Sequence, residues 1–206
     1  MIKRRKLSAK LAVHIPTLSE ALLDSLITPS AATNAFTKAA LVVFGSLLLA
    51  ASAQFKIPLY PVPVTGQTLV VLLIGMTYGV RLGAITMAAY LFEGAIGLPV
   101  FAGGAAGAAV LMGPTGGYLF GFLLAGVAMG YLAERGMGRT AISTIAAMVI
   151  GNFVIYLFGA LWLANFIGFG EAIAAGVLPF LYGDALKLVV AAGLMPFAWR
   201  TVTSVK

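Results

Sequence analysis

Residues 140–170 read TAISTIAAMVIGNFVIYLFGALWLANFIGFG and contain no Asp, Glu, Lys or Arg. A helix needs about 20 mostly apolar residues to cross the hydrocarbon core of a bilayer. Three further charge-free stretches, at 39–55, 57–80 and 94–133, repeat this pattern along the chain. The sequence therefore predicts an all-α protein that crosses the membrane several times.

The composition agrees with a membrane location. Of the 206 residues, 61% are hydrophobic and 9% are charged, whereas soluble domains have about 25% charged residues. Cysteine is absent and the only histidine is His14, which leaves few groups for metal binding or catalysis. We expect no metal, no cofactor and no enzymatic activity, because an intramembrane enzyme needs a positioned base and nucleophile.

Glycine and proline clusters divide the apolar stretches into six predicted transmembrane helices. The second and third are short, and we expect them to be tilted or partly sunk in the bundle. The predicted helices cover residues 36–54, 66–80, 82–97, 116–133, 140–163 and 184–201. They form a predicted membrane domain at 35–203, preceded by a basic tail at 1–34 that is cytosolic or interfacial.

The tail contains one pattern that is typical of a short amphipathic helix. Its apolar face comprises Leu18, Ala21, Leu22, Ser25 and Leu26, and Pro29 is expected to end it.

The distribution of Lys and Arg predicts the orientation. With both termini in the cytoplasm, all of the 13 basic residues except Lys56 and Lys187 fall on the cytoplasmic side, as the positive-inside rule requires. This topology places three loops, 55–66, 98–115 and 164–183, on the outer face. They are rich in Pro, Gly and aromatic residues, so either a ligand is met there or the loops merely turn the chain.

Asp184 and Lys187 are the strongest chemical signal. They are three residues apart at the outer start of the last helix and therefore share one helical face. Charged groups in membrane segments are costly and usually face a cavity or a partner. The pair predicts either a polar ligand site or a structural ion pair that secures the helix.

The segment 58–67, PLYPVPVTGQ, has three prolines in six residues, which predicts an extended connector that is neither helix nor sheet. Thr65 is a predicted cap of the second helix. Gln67, in the first turn, is predicted to bind a ligand, with capping or helix packing as an equal alternative.

Two glycine-rich segments, GLPVFAGGAAG at 97–107 and GPTGGY at 113–118, allow the backbone to approach a ligand closely. Close helix contact through small residues is the alternative. Neither matches a nucleotide-binding loop. The ligand-binding candidates here are Phe101, Gly103, Gly104, Gly116, Gly117 and Tyr118.

Two further pairs have helical spacing. Asn152 and Tyr156 lie four apart in the fifth span, and they point into a polar cavity or bond a neighbouring helix, the latter being favoured. Ser46 and Ala50, also four apart, form a flat strip for internal packing or for a partner subunit.

Several blocks occur together in order: AASAQ at 50–54, PVPVTGQTL at 61–69, GAIGLPVFAGG at 94–104, GPTGGYLFGF at 113–122 and the late GDxxK at 183–187. Over about residues 36–200 the chain resembles the BioY family, the biotin-binding S components of energy-coupling factor (ECF) transporters.

The resemblance implies a six-helix protein of a prokaryotic cell membrane that captures biotin from outside beneath its outer loops. It implies ligand contacts from Asp184, Lys187 and the glycine-rich loop, whose residues 102–109 offer only backbone polar groups. It also implies a transmembrane coupling subunit, facing Ser46 and Ala50, and ABC-type ATPase subunits as partners. A channel or secondary carrier for a small vitamin that works alone is the alternative.

Overall fold

Long apolar helices make up most of the computed structural model, which describes residues 15–26 and 31–204. The helices are α1 Leu18–Leu26, α2 Ala31–Gln54, α3 Gln67–Ala95, α4 Ala108–Met112, α5 Gly116–Ala133, α6 Ala141–Ile167, α7 Phe169–Gly176 and α8 Leu178–Ser204. A 3₁₀ turn covers Ala102–Gly104, and the strands are β1 Lys56–Ile57 and β2 Val64–Thr65. The basic cluster at 3–10, His14, Pro29 and Lys206 lie outside the described residues.

Within the described part of the chain, five helical segments are long and apolar enough to cross a membrane: residues 35–54, 67–95, 116–133, 141–167 and 169–203. The all-α, multi-pass architecture predicted from the sequence is therefore confirmed.

The second and third predicted spans are the two legs of α3. Gly79, inside α3, has φ 77° and ψ −178°, a conformation that a residue with a β-carbon rarely adopts. A β-carbon at Gly83 would lie only 3.4 Å from the Cα of Gly75, although eight residues of a straight helix span about 12 Å. The chain thus folds back at Gly79. Counting the legs separately gives six apolar helices, and a full bilayer crossing by each leg stays a prediction.

The third outer loop differs from its prediction. Residues 164–183 are mostly helical, because they contain the end of α6, all of α7 and the start of α8. The α8 helix begins at Leu178 rather than 184, with Pro179 in its first turn, where a missing backbone N–H costs nothing. Gly168, at φ 83°, separates α6 from α7.

The first outer loop also contains a short sheet that the sequence did not predict. Lys56 pairs with Thr65 and Ile57 with Val64 in an antiparallel ladder. Expecting no sheet in this segment was wrong at Val64 and Thr65. The three prolines all lie between the two strands, so they remove no N–H group from the ladder.

The helices pack as a bundle in which α3 contacts α2 and α5, and α6 contacts α5, α7 and α8. Its core is apolar; the largest buried side chains include Tyr90, Phe101, Leu49, Leu72, Met76, Met87, Met129 and Ile155. The α2 helix exposes a row of apolar side chains, as a lipid-facing helix does: Phe36, Val43, Phe44 and Leu47.

The Ser46–Ala50 strip is partly buried in this bundle. Ser46 is 2% exposed and its hydroxyl donates to the Val43 carbonyl at 3.0 Å. Ala50 is partly buried against the core. Ser46 thus packs inside the bundle, whereas Ala50 keeps some exposed surface. A partner interface at this strip stays a prediction.

The α1 helix forms as the sequence predicts and packs on α3 and α8. Thr17 precedes it, and both its backbone N–H, at 2.9 Å, and its hydroxyl, at 3.1 Å, donate to the Glu20 carboxylate at the helix start. Of the predicted apolar face, Ala21 is buried and Leu22 is exposed.

Candidate functional site

The three predicted outer loops meet around one cavity of about 180 Å³. The first loop contributes Val62, Pro63 and Thr65, the second contributes Phe101, Ala102, Ala105, Val110 and Thr115, and the third contributes Phe180. Below the loops, the walls come from α3, α5 and α6. Gln67, Thr68, Tyr118, Leu119, Phe122, Ile155 and Tyr156 lie there. The loops thus do more than turn the chain.

Aromatic rings form much of the cavity wall. Tyr118 and Phe180 are stacked, with ring centroids 6.1 Å apart and an 11° angle between their planes. Tyr156 meets the other side of Phe180 edge-on. Phe101 points inward from the second loop and packs edge-to-face on Tyr90 at 5.6 Å. Such a pocket suits an apolar ring system with a few polar groups.

Asp184 is the buried acid of the site. It is 3% exposed, so its charge requires partners that replace water. Its Oδ1 accepts from Lys187 Nζ at 2.9 Å and from the Thr68 hydroxyl at 3.1 Å. Its Oδ2 accepts from the Tyr156 hydroxyl. The predicted Asp184–Lys187 pair is thus present, within a larger cluster.

Lys187 joins this cluster to the first outer loop. Its Nζ donates to the backbone carbonyl of Thr65 at 2.9 Å and to the Thr68 hydroxyl at 2.6 Å, in addition to Asp184. A lysine ammonium has three N–H donors, and these three acceptors use all of them. The helix α8 is therefore fastened to β2 and to the start of α3.

The ion pair stands behind the cavity wall rather than in it. Neither Asp184 nor Lys187 lines the cavity, but their partners Thr65, Thr68 and Tyr156 do. The pair fixes the direction of the Thr68 and Tyr156 hydroxyl groups and holds the backbone carbonyl of Thr65, which is the arrangement of a preorganised polar site.

Gln67 also lines the cavity and is 3% exposed. Its Nε2 donates to the Tyr90 hydroxyl at 2.6 Å, and Tyr90 in turn donates to the Val100 carbonyl at 3.0 Å. The helix cap is Gly66 rather than Thr65. Thr65 still supports the first turn, because its hydroxyl oxygen accepts from the Gln67 N–H at 3.3 Å.

The structure separates the glycine candidates from the cavity. Gly103 and Gly104 are exposed and sit in a turn that closes through the Phe101 carbonyl, with the Gly104 N–H at 3.0 Å. A β-carbon at Gly117 would collide with Trp162 of α6. Gly116 and Gly117 therefore serve close helix packing, the alternative reading of that segment, whereas Phe101 and Tyr118 reach the cavity.

Asn152 lies outside the cavity, in a lateral crevice of about 500 Å³ between α6, α7 and α8. It is 7% exposed, and its Oδ1 has no hydrogen-bond partner among the described residues. Neither a polar cavity nor a bond to a neighbouring helix is observed for it. Tyr156 lines both the crevice and the cavity, and Asp184 borders the crevice.

Thr68, Tyr90 and Phe180 are the site residues that the sequence analysis did not single out. Thr68 lies one residue after Gln67 in the same turn of α3, and its spacing to a charged residue on α8 is visible only in the folded chain. Phe180 lies in a segment expected to be loop, which gave it no predicted face.

The family profile of the BioY family matches residues 25–204. The chain belongs to the BioY family. This match contains α2 to α8, whereas most of α1 precedes it.

Two BioY relatives cover most of the chain. A Thermotoga maritima protein named biotin transporter BioY is 42% identical over 145 residues, which are 70% of this chain and 85% of that protein. A Pyrococcus horikoshii protein named probable biotin transporter BioY is 39% identical over 151 residues, 73% of this chain and 89% of that protein.

The BioY chain also shares its fold with a solved structure. The crystal structure of the S-component for biotin from an ECF-type ABC transporter matches with a TM-score of 0.75 and 24% sequence identity. The match covers 84% of this chain and 95% of that one.

Proposed function

We propose that this chain is the biotin-binding membrane subunit of an ECF-type transporter. The observation that supports it is the aromatic cavity beneath three loops, backed by the Asp184–Lys187 cluster, in a chain of the BioY family. We further propose that it resides in the cell membrane of a prokaryote.

The chemistry of biotin matches the groups in this cavity. Its bicyclic ring and aliphatic chain are apolar, and its ureido group has two N–H donors and one carbonyl acceptor. Tyr156 donates its hydroxyl hydrogen to Asp184, so the Tyr156 oxygen keeps a lone pair to accept from a ureido N–H. Gln67 uses one amide N–H for Tyr90 and has a second for the ureido carbonyl.

Uphill transport needs an energy source outside this chain. Its sequence contains no G-x-x-x-x-G-K-[ST] nucleotide-binding loop. We therefore propose that a transmembrane coupling subunit and ABC-type ATPase subunits act together with it. The exposed apolar side chains of α2, on the same helix as the partly exposed Ala50, support a membrane-embedded contact with the coupling subunit.

Equilibrium binding of radiolabelled biotin to the purified full-length chain tests the ligand. We expect saturable binding of one biotin per chain. Unlabelled biotin should compete fully, and thiamine, a charged vitamin of different shape, should not. A monodisperse, cooperatively unfolding protein without saturable biotin binding would refute the proposal.

Reconstitution in liposomes tests the need for an ATPase. The chain alone should bind biotin without accumulating it, whereas the chain with the coupling and ATPase subunits should accumulate biotin when ATP is supplied. Equal accumulation by the chain alone would favour the single-protein carrier instead.

A further inference from the structure

Another crevice, distinct from the lateral crevice beside Asn152, lies at the opposite end of the bundle from the cavity, where α6 begins and α8 ends. Both apolar and cationic side chains line it. Its volume is about 680 Å³, and it lies between residues 139–141 and the stretch of α8 from Ala192 to Thr203. Arg200 is 16 residues after Asp184 on α8, about 24 Å along the helix axis. The crevice is therefore separate from the proposed biotin site.

The crevice changes from apolar to cationic along its length. Ala192, Pro196 and Phe197 line one part, and Arg200 and Arg139 line the other. Ala192 and Arg200 are eight residues apart, which is about 12 Å along the helix. If the two arginines lie at the level of the lipid headgroups, the apolar residues of the crevice therefore lie at the level of the acyl chains.

Arg139 is held in place at the cationic end. Its guanidinium lies 4.4 Å from the centre of the Trp199 ring, and its Nη2 donates to the Pro16 carbonyl at 3.3 Å. These contacts leave most of its five N–H donors unused. Among the side chains that the structure describes, which exclude those of residues 24–34, neither Arg139 nor Arg200 has a carboxylate within salt-bridge distance.

We propose that this crevice binds an anionic phospholipid, with the phosphate between Arg139 and Arg200 and one acyl chain along α8 from Ala192 to Phe197. Charge complementarity selects the headgroup, because basic pockets between transmembrane helices bind anionic lipid headgroups. The adjoining apolar wall selects a lipid over a soluble anion, since a free phosphate gains nothing from contact with it.

Native mass spectrometry of the full chain in detergent, with phosphatidylglycerol or phosphatidylcholine of equal acyl chains, tests this site. We expect one retained phosphatidylglycerol per chain and about a tenfold preference over phosphatidylcholine. The double variant Arg139→Gln, Arg200→Gln should lose this preference. The matched control is Arg135→Gln, because the Arg135 guanidinium stacks on Tyr131 outside the crevice and its loss should leave the preference unchanged.

A second variant tests the acyl part without changing charge. Gly193 lines the crevice, and a β-carbon there would meet nothing within 4 Å. Gly193→Leu should therefore fill the crevice and reduce retained phosphatidylglycerol about tenfold. Thermal unfolding and size-exclusion chromatography of each variant confirm that the bundle is intact.

Three results would overturn the lipid site. One is equal loss of preference in Arg135→Gln, which indicates diffuse surface charge. Another is unchanged retention in the double variant or in Gly193→Leu. The third is displacement of the lipid by equimolar glycerol 3-phosphate, which indicates a site for soluble phosphate groups.

Discussion

The cavity and the lateral crevice lie on the two sides of Tyr156 and differ in how their polar groups are satisfied. Behind the cavity wall, Asp184, Lys187 and Thr68 complete one another's hydrogen bonds, and Thr68 itself lines the cavity. On the crevice side, Asn152 Oδ1 is buried without a partner in the described structure. The lateral crevice is larger than the cavity, with a volume of about 500 Å³ against 180 Å³. We therefore place the proposed biotin site in the smaller cavity, where polar groups converge and satisfy one another, rather than in the larger crevice.

The largest effect is expected from Asp184→Asn. The substitution removes the charge that compensates Lys187 and turns one acceptor of the cluster into a donor. Breaking a buried ion pair lowers stability by about 3–5 kcal/mol, and it releases the Thr68 and Tyr156 hydroxyl groups that line the cavity. We expect the biotin Kd to rise about 100-fold, which corresponds to about 2.7 kcal/mol. Equilibrium binding of radiolabelled biotin measures this, with a thermal unfolding scan to confirm folding. Binding within threefold of wild type would place the ligand away from this cluster.

Lys187→Met should have the next largest effect, raising the biotin Kd about 30-fold. The methionine fills similar space, but the carboxylate of Asp184 then keeps only hydroxyl partners. A double-mutant cycle with Asp184→Asn sharpens the test, because directly paired groups couple by about 0.5–3 kcal/mol. Strictly additive losses would show that the two side chains act independently on the ligand.

Tyr156→Phe tests whether biotin binds in the cavity or in the lateral crevice. We expect about a tenfold increase in the biotin Kd. Only the hydroxyl that bonds Asp184 is removed, and a hydrogen bond to a charged group contributes about 1.5–3 kcal/mol. The matched control is Leu157→Ala, because Leu157 borders the lateral crevice but not the cavity. A greater loss of biotin binding in Leu157→Ala than in Tyr156→Phe would show that biotin binds in the lateral crevice instead of the cavity.

Asn152→Leu should have the smallest effect on binding, less than twofold. Leucine has a similar shape and removes an unpartnered buried polar group, whose burial costs about 1–3 kcal/mol. We therefore expect a rise of about 1 kcal/mol in the free energy of unfolding, measured by denaturant titration in detergent. Loss of biotin binding would instead place Asn152 in the ligand site, the less favoured of the two alternatives that the sequence left open.

The sequence predicted the helices best where the membrane alone decides their length. The span at 116–133 agrees with α5 at both ends, because uninterrupted apolar residues have no other stable location. The helical third loop was missed, since α7 has only eight residues and short apolar stretches between glycines do not distinguish helix from turn.

The site was predictable only as far as local spacing reaches. The pairing of Asp184 with Lys187 follows from their separation of three residues on one helix. The partnership of both with Thr68 links residues more than a hundred positions apart, so no local pattern reports it. Gly117 was ambiguous for another reason. The absence of a β-carbon leaves space either for a ligand or for a neighbouring side chain such as Trp162, and the sequence does not distinguish the two.

One contact of Lys187 does not depend on any side chain of the first outer loop. The ammonium holds the roof of the site through the main-chain oxygen of residue 65, and every amino acid supplies such an oxygen. Replacing side chains in that segment therefore leaves the tether intact. Substitutions in the first outer loop can therefore change the side chains that line the cavity while the loop stays bonded to α8.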